Sequence, residues 1–190
     1  MNKQKNINKK LLCAEDLSNT ENYENFTMNI LKTNTEDINV IAITSDNNTI
    51  NTISTVCLNV GYNLSLHSKK VLVINLDVFN PALNDLLCKE NDDERIVNYG
   101  NIDLILPKST DLIGNLSLEE LKNKYNDYDF IIICVPSPKK LPAYLAVCDG
   151  VDYYLLVNKF ISSFYSANKC IKLIEATGAK VVGSVYIKLT

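Results

Sequence analysis

The chain has little histidine and no clustered cysteines from which to build a metal or redox site. It has one histidine, His67, and six cysteines with no Cys-x-x-Cys pair among them. That pattern supplies no zinc ligand set. It reads as the scattered, mostly buried, reduced cysteines of a cytoplasmic protein rather than as a disulfide framework. Long apolar runs are missing too. The longest, such as FIIICV, are far too short to cross a bilayer, and after the Lys-rich start comes only LLCA, too short for a signal sequence. Neither sign of charge gathers in a block, and the formal net charge is -3, so nucleic acid finds no electrostatic footprint. His67 lies at a polar helix end before Lys69 and Lys70 and reads as solvent-exposed.

The most informative shortage is local. The apolar run INVIAIT, residues 38 to 44, is followed by a polar stretch, a helical pattern and a second apolar run, KKVLVINLD. Strand, tight loop, helix and strand is the setting in which a nucleotide-binding protein carries its phosphate loop. Yet no Gly occurs between Ser45 and Gly61, and no Lys between Ser45 and Lys69.

What is present is ample apolar material. At 190 residues and 46% hydrophobic, the chain suits one domain, and a domain of this size buries roughly 70% of its unfolded surface. Residues 1–19 read as a flexible tail. Its basic start, MNKQKNINKK, is solvated or, as the alternative, touches an acidic membrane surface. Residues 20–190 form the single domain. Tyr23, Phe26, Ile30 and Leu31 fall at helical spacing and predict an amphipathic helix over 20–34. INVIAIT, rich in β-branched residues, is a buried strand. Thr52 to Ser68 is helical, and KKVLVINLD is a second strand. NPALNDLLC begins a helix with Asn80 as N-cap and Pro81 in the first turn. IDLILP is a third strand, and SLEELKNKY is a helix opened by the capping box of Ser117 and Glu120. DFIIICVP is the most apolar strand and belongs in the centre of a sheet. A helix near Pro142 to Val147, the strand DYYLLVN, a helix closed by Gly178 and the strand KVVGSVYIKL complete the chain. Such alternation implies right-handed crossovers and a mainly parallel sheet covered on both faces. Ligands of such sheets bind beyond the carboxyl ends of the strands.

In this order the pieces resemble the cytoplasmic bacterial tyrosine kinases of capsule and exopolysaccharide systems, a branch of the P-loop class that includes the ParA/MinD ATPases. ENYENFTMN stands where that family carries E-A-Y-R-x-L-R-T-N, and INVIAITS runs into DNNTINTIST where the family has T-S and then G-E-G-K-S-T. VLVINLDVFNP stands for V-L-L-I-D-A-D-L-R-R-P, and YDFIIICVPS for Y-D-x-I-I-I-D-T-P-P. DYYLLVN and IEATGAKVVGSVYI meet the last two signatures. The resemblance covers about residues 20 to 190. It implies an α/β, P-loop NTPase-like three-layer sandwich with a mainly parallel central sheet. For an intact member it also implies ATP, magnesium and protein-tyrosine kinase activity.

The chemical positions depart from that pattern. Ser54 and Thr55 match the hydroxyl pair of the phosphate loop, and Asp77 matches the second acidic residue of the second strand. The Lys position falls on Ile53, and Thr, Ile or Asn occupy the glycine positions. Branched side chains there resist the positive φ angles and close approach that glycine permits. The first acidic position is Asn75, the magnesium-linked Asp is Cys134, and a further Asp is Ala143. Phosphoryl transfer needs metal charge, a positioned nucleophile and cationic clamps together. The resemblance therefore implies a non-catalytic, kinase-like binding or regulatory module, with no cofactor and no metal. Ser54, Thr55 and Asp77 are then vestiges, and Asp77 also fits a turn cap. The implied partner is the cytoplasmic tail of a membrane polysaccharide chain-length regulator or an intact kinase paralogue. Such a partner would recruit this cytoplasmic protein to the inner face of the membrane. Two alternatives stand beside this reading. One is a divergent kinase that binds ATP and magnesium through Asp77, Ser54 and loop backbone. The other is a non-catalytic ParA/MinD-like adaptor. The two Arg positions of the family's self-association motif hold Glu24 and Thr27, so its ring oligomer does not carry over. Ile50 or Ile53 is expected to pack inward where phosphates would lie.

Overall fold

The computed structural model describes residues 17–33, 39–46, 50–76, 96–106, 117–137, 151, 153–159, 164–178 and 181–187. The helices expected from Asn80 and near Pro142, together with Asp77, Ala143, Cys13, Cys88 and Cys148, lie outside the described residues. In chain order the elements are α1 (Leu17–Thr33), β1 (Asn39–Ser45), α2 (Ile50–Leu66), β2 (Val71–Asn75), β3 (Ile96–Tyr99) and β4 (Ile102–Ile105). Then follow α3 (Leu118–Lys124), β5 (Phe130–Cys134), β6 (Tyr153–Lys159), α4 (Phe164–Glu175) and β7 (Val181–Ile187).

The seven strands form one sheet in the order β3-β4-β2-β5-β1-β6-β7. FIIIC, the most apolar strand, is the middle one, with β1 and β2 parallel on its two sides. All five of its residues are buried, because a strand covered on both faces has no polar side to alternate with. Among the described residues the one antiparallel pair is β3 with β4. Strand β3 was not expected from the sequence, since IVNY is short and follows the charged run NDDER. The only local sign of it is the turn at Gly100, whose φ of 69° suits glycine.

Side-chain alternation divides the core into two layers. On one face Ile41 and Ile43 of β1, Val71 and Val73 of β2, and Phe130, Ile132 and Cys134 of β5 meet Ile53, Val56, Val60 and Leu64 of α2. Helix α1 closes this layer: Ile30 is buried, and Tyr23, Phe26 and Leu31 pack against it. On the other face Val40, Ala42, Leu72, Ile74, Ile131 and Ile133 meet Leu121 and Tyr125 of α3 and Ala167, Cys170 and Ile174 of α4. The result is the three-layer α/β sandwich that the alternating pattern predicts.

Local chemistry fixes the helix ends. Ser117 accepts from the Glu120 N–H at 3.1 Å, and the Ser117 N–H donates back to the Glu120 carboxylate at 3.2 Å, so the expected capping box is formed. Helix α4 ends where Gly178, at φ 85°, donates its N–H to the Glu175 carbonyl at 3.0 Å. At the amino end of the sheet, Asp129 receives the Lys70 N–H at 2.8 Å and pairs with Lys69 at 3.3 Å. Tyr128 donates to Asp103 at 2.9 Å, which ties β5 to β4. Burial, then this hydrogen bond and neighbouring negative charge, push the Tyr128 phenol up to about 12. His67 is exposed in the turn after α2, as expected.

Thr27 is fully buried under α1, and its hydroxyl has no partner among the described residues. A buried unpaired hydroxyl costs stability. Thr27→Val keeps the shape and removes that cost. It is expected to raise the unfolding free energy by about 1 kcal/mol, measured as a higher urea midpoint with an unchanged slope.

Candidate functional site

The place to examine is the carboxyl edge of β1, β5 and β2, where α2 begins. Register aligns Ile43, Cys134 and Asn75 side by side across these three strands. Ile43 and Cys134 belong to the α2 layer, and alternation along β2 assigns Asn75 to the same face as Val73. The backbone here is held past the strand ends. The Val135 N–H donates to the Ile43 carbonyl at 2.9 Å, and the Leu76 N–H to the Cys134 carbonyl at 3.0 Å. On the opposite face the Thr44 hydroxyl donates to the Pro136 carbonyl at 3.0 Å, and the Cys170 thiol points to the Ser45 carbonyl at 3.9 Å.

Helix α2 starts at Ile50, two residues earlier than its sequence pattern indicates. Its first turns bring Ile53 and Ser54 over the strand ends. Ile53 is 1% exposed and part of the core between α2 and the sheet; burial of an Ile side chain contributes roughly 1.5–3 kcal/mol. The inward packing expected of Ile50 or Ile53 is thus met by Ile53, while the side chain of Ile50 lies outside the described residues. Ser54 is buried as well, and its Oγ lies 3.7 Å from Cys134 Sγ. The first turns of α2 and the end of β5 therefore meet through these two side chains. What meets is a hydroxyl and a thiol. Thr55, the other hydroxyl of the pair, is half-buried one residue on.

The site is neutral along the described row. Ile43, Ile53, Ser54, Asn75 and Cys134 are all buried, and none carries a carboxylate or an ammonium. Among the described residues no group of three His, Cys, Asp or Glu side chains is placed to hold a metal ion. Asn75 and Cys134 are brought together by register, whereas Asp77 and Ala143 lie outside the described residues. Sequence reading gave little weight to two polar groups at this edge. Asp46 follows β1 directly and is 1% exposed. Ser137 lies just past β5, buried, with no hydroxyl partner among the described residues. The nearest sequence signal for either was its place directly after an apolar strand.

Helix α1 is pinned to the same helix that carries Ser54. Tyr23 hydrogen-bonds Asn59 on α2; burial pushes its phenol above the ordinary value, the Asn59 bond partly offsets the rise, and Cys57 adds to it. Of the two self-association positions, Glu24 is exposed and Thr27 faces the core. Among the described residues no helix is long and apolar enough to cross a membrane.

No protein-family model and no curated protein sequence matches the chain. Solved structures do. The kinase domain of Escherichia coli tyrosine kinase ETK superposes with a TM-score of 0.74 at 18% identity, covering 100% of this chain and 83% of that one. The chimerical protein CapA2B2 gives 0.71 at 18% identity, over 93% of this chain and 89% of the other. The VpsO kinase domain gives 0.69 at 17% identity, over 91% and 97%. At this level of identity the likeness is one of architecture: the chain has the P-loop, α/β fold of bacterial tyrosine kinase domains.

Proposed function

We propose that this chain is a non-catalytic, kinase-like module that binds and regulates a partner in capsular or exopolysaccharide synthesis. The observation that carries the reading is the neutral, buried row at the positions that align with the family's phosphate and metal residues. Ile53 fills core space where the family's Lys would reach for phosphate. Cys134 contacts Ser54 where a carboxylate would hold magnesium through its water shell. Asn75 offers an amide where an acid would stand. These residues do not fit a magnesium–nucleotide complex, and no catalytic step is assigned to them. The partner on this reading is the cytoplasmic tail of a membrane chain-length regulator or an intact tyrosine kinase. The partner carries the chain to the inner face of the membrane.

Thermal melts with and without millimolar magnesium–ATP test the loss of nucleotide binding. A ligand at about a hundredfold over its Kd adds about 2.7 kcal/mol, a rise of roughly 5 to 10 °C for a chain of this size. The expected result is no shift, and a clear rise would return the chain to the ATP-binding kinases. Ile53→Lys restores the lost cation in name only. It places an unpaired ammonium in the core and is expected to lower stability by roughly 3 kcal/mol, read from a urea titration, while magnesium–ATP still leaves the melt unmoved. Recovery of nucleotide binding by this single change would show the pocket to be open. For the partner, affinity capture on an immobilised regulator tail, and separately on an intact kinase, is expected to retain the chain on one of the two. Retention on neither would favour the ParA/MinD-like adaptor.

A further inference from the structure

Helix α1 is held in place by less than its length suggests. Among its described side chains Ile30 is the one buried apolar residue; Tyr23, Phe26 and Leu31 are half-buried, and Met28 is exposed. The helix packs chiefly on α2. Two polar groups lie inside that contact. The Tyr23 phenol is hydrogen-bonded with Asn59, whereas the hydroxyl of Thr27, fully buried, has no partner among the described residues. An unpaired buried hydroxyl subtracts from the hold that apolar burial provides.

The helix brings little stability of its own. Four asparagines and three threonines stand among its 17 residues. Both types are weak helix formers, because Asn offers the backbone competing hydrogen bonds and Thr is branched at Cβ. No acidic residue stands in the first turn to meet the positive end of the helix dipole. Isolated helices of about this length are marginal in water even when built of good helix formers. Helix α1 is therefore helical because α2 holds it, and leaving α2 means losing the helix. The rest of the fold does not lean on α1 in the same way. The core layer under α3 and α4 contains none of its side chains, and the seven strands are hydrogen-bonded to one another.

We propose that α1 is a strap that unfolds off α2 as one unit while the seven-stranded sheet stays closed. Opening bares Asn59 and the flank of α2 that α1 covers, on the helix whose first turns lie over the carboxyl edge of the sheet. A ligand with unequal affinity for the closed and open forms sets the balance between them. The strap is thus a regulatory element separate from the neutral row of the site.

Native-state hydrogen exchange on the full chain, read residue by residue by NMR, provides the test. The central α1 amides are expected to exchange ahead of those of β5 and through one common opening. Thr27→Val should slow the α1 amides roughly fivefold, the effect of removing one unpaired hydroxyl. Ile174→Val, on α4 in the opposite core layer, should speed the β5 amides roughly fivefold. It should leave the α1 amides unchanged, because α1 opens without breaking that layer. If Ile174→Val speeds both sets alike, α1 leaves only when the whole chain unfolds, and the proposal is overturned. Equal protection of α1 and β5 overturns it too, as does α1 exchange that Thr27→Val leaves where it was.

Discussion

The site depends on how closely α2 lies against the sheet. A Cβ on Gly61 would meet Val73 Cγ2 at 3.1 Å, tighter than ordinary contact, so glycine lets the helix settle onto β2 at this point. With α2 seated there, Val56 and Val60 fill the layer below it and Ile53 is carried down over the end of β1 and β5. The Ser54–Cys134 contact follows from the same seating. An apolar side chain thus packs over the carboxyl edge of the central strands.

The physical chemistry of burial gives a reason for the row to be neutral throughout. A buried charge without its partner is costly, whereas an ion pair or triad replaced as a whole by neutral groups is often tolerated or stabilising. A phosphate-loop Lys left alone with Asn75 and Cys134 would be such an orphan. So would carboxylates at positions 75 and 134 facing Ile53, with no cation between them. The observed set of Ile53, Ser54, Asn75 and Cys134 leaves no charge stranded in the row, and the kinase architecture persists around it because its stability comes from the two apolar layers.

Much of this was legible in the chain. The continuous apolar run FIIIC implied a central strand, and register shows it in the middle of seven. Ser117 and Glu120 announced a helix start, and Gly178 its counterpart at a helix end, because caps are local chemistry. Ile53, Asn75 and Cys134 were singled out through the family resemblance, and register sets Asn75 beside Cys134. Other features were not. IVNY is too short for a periodic signal, and β3 exists because β4 offers it an edge. Thr27 stands in the sequence only as a replaced Arg of the family's self-association motif, yet it faces the core. Asp46 looked like a loop polar residue and is buried.

By itself, the sequence determined most of the elements and the neutral residue types that stand where the first strands end. Alternating apolar patterns, caps and the absence of Gly and Lys after β1 are properties of residues and near neighbours. Only the tertiary structure decided that Ile53 points inward, that Ser54 meets Cys134 and that Thr27 faces the core. Those outcomes depend on the distance and rotation of helices on the sheet. Packing of residues far apart in the chain sets both, and no local pattern encodes them.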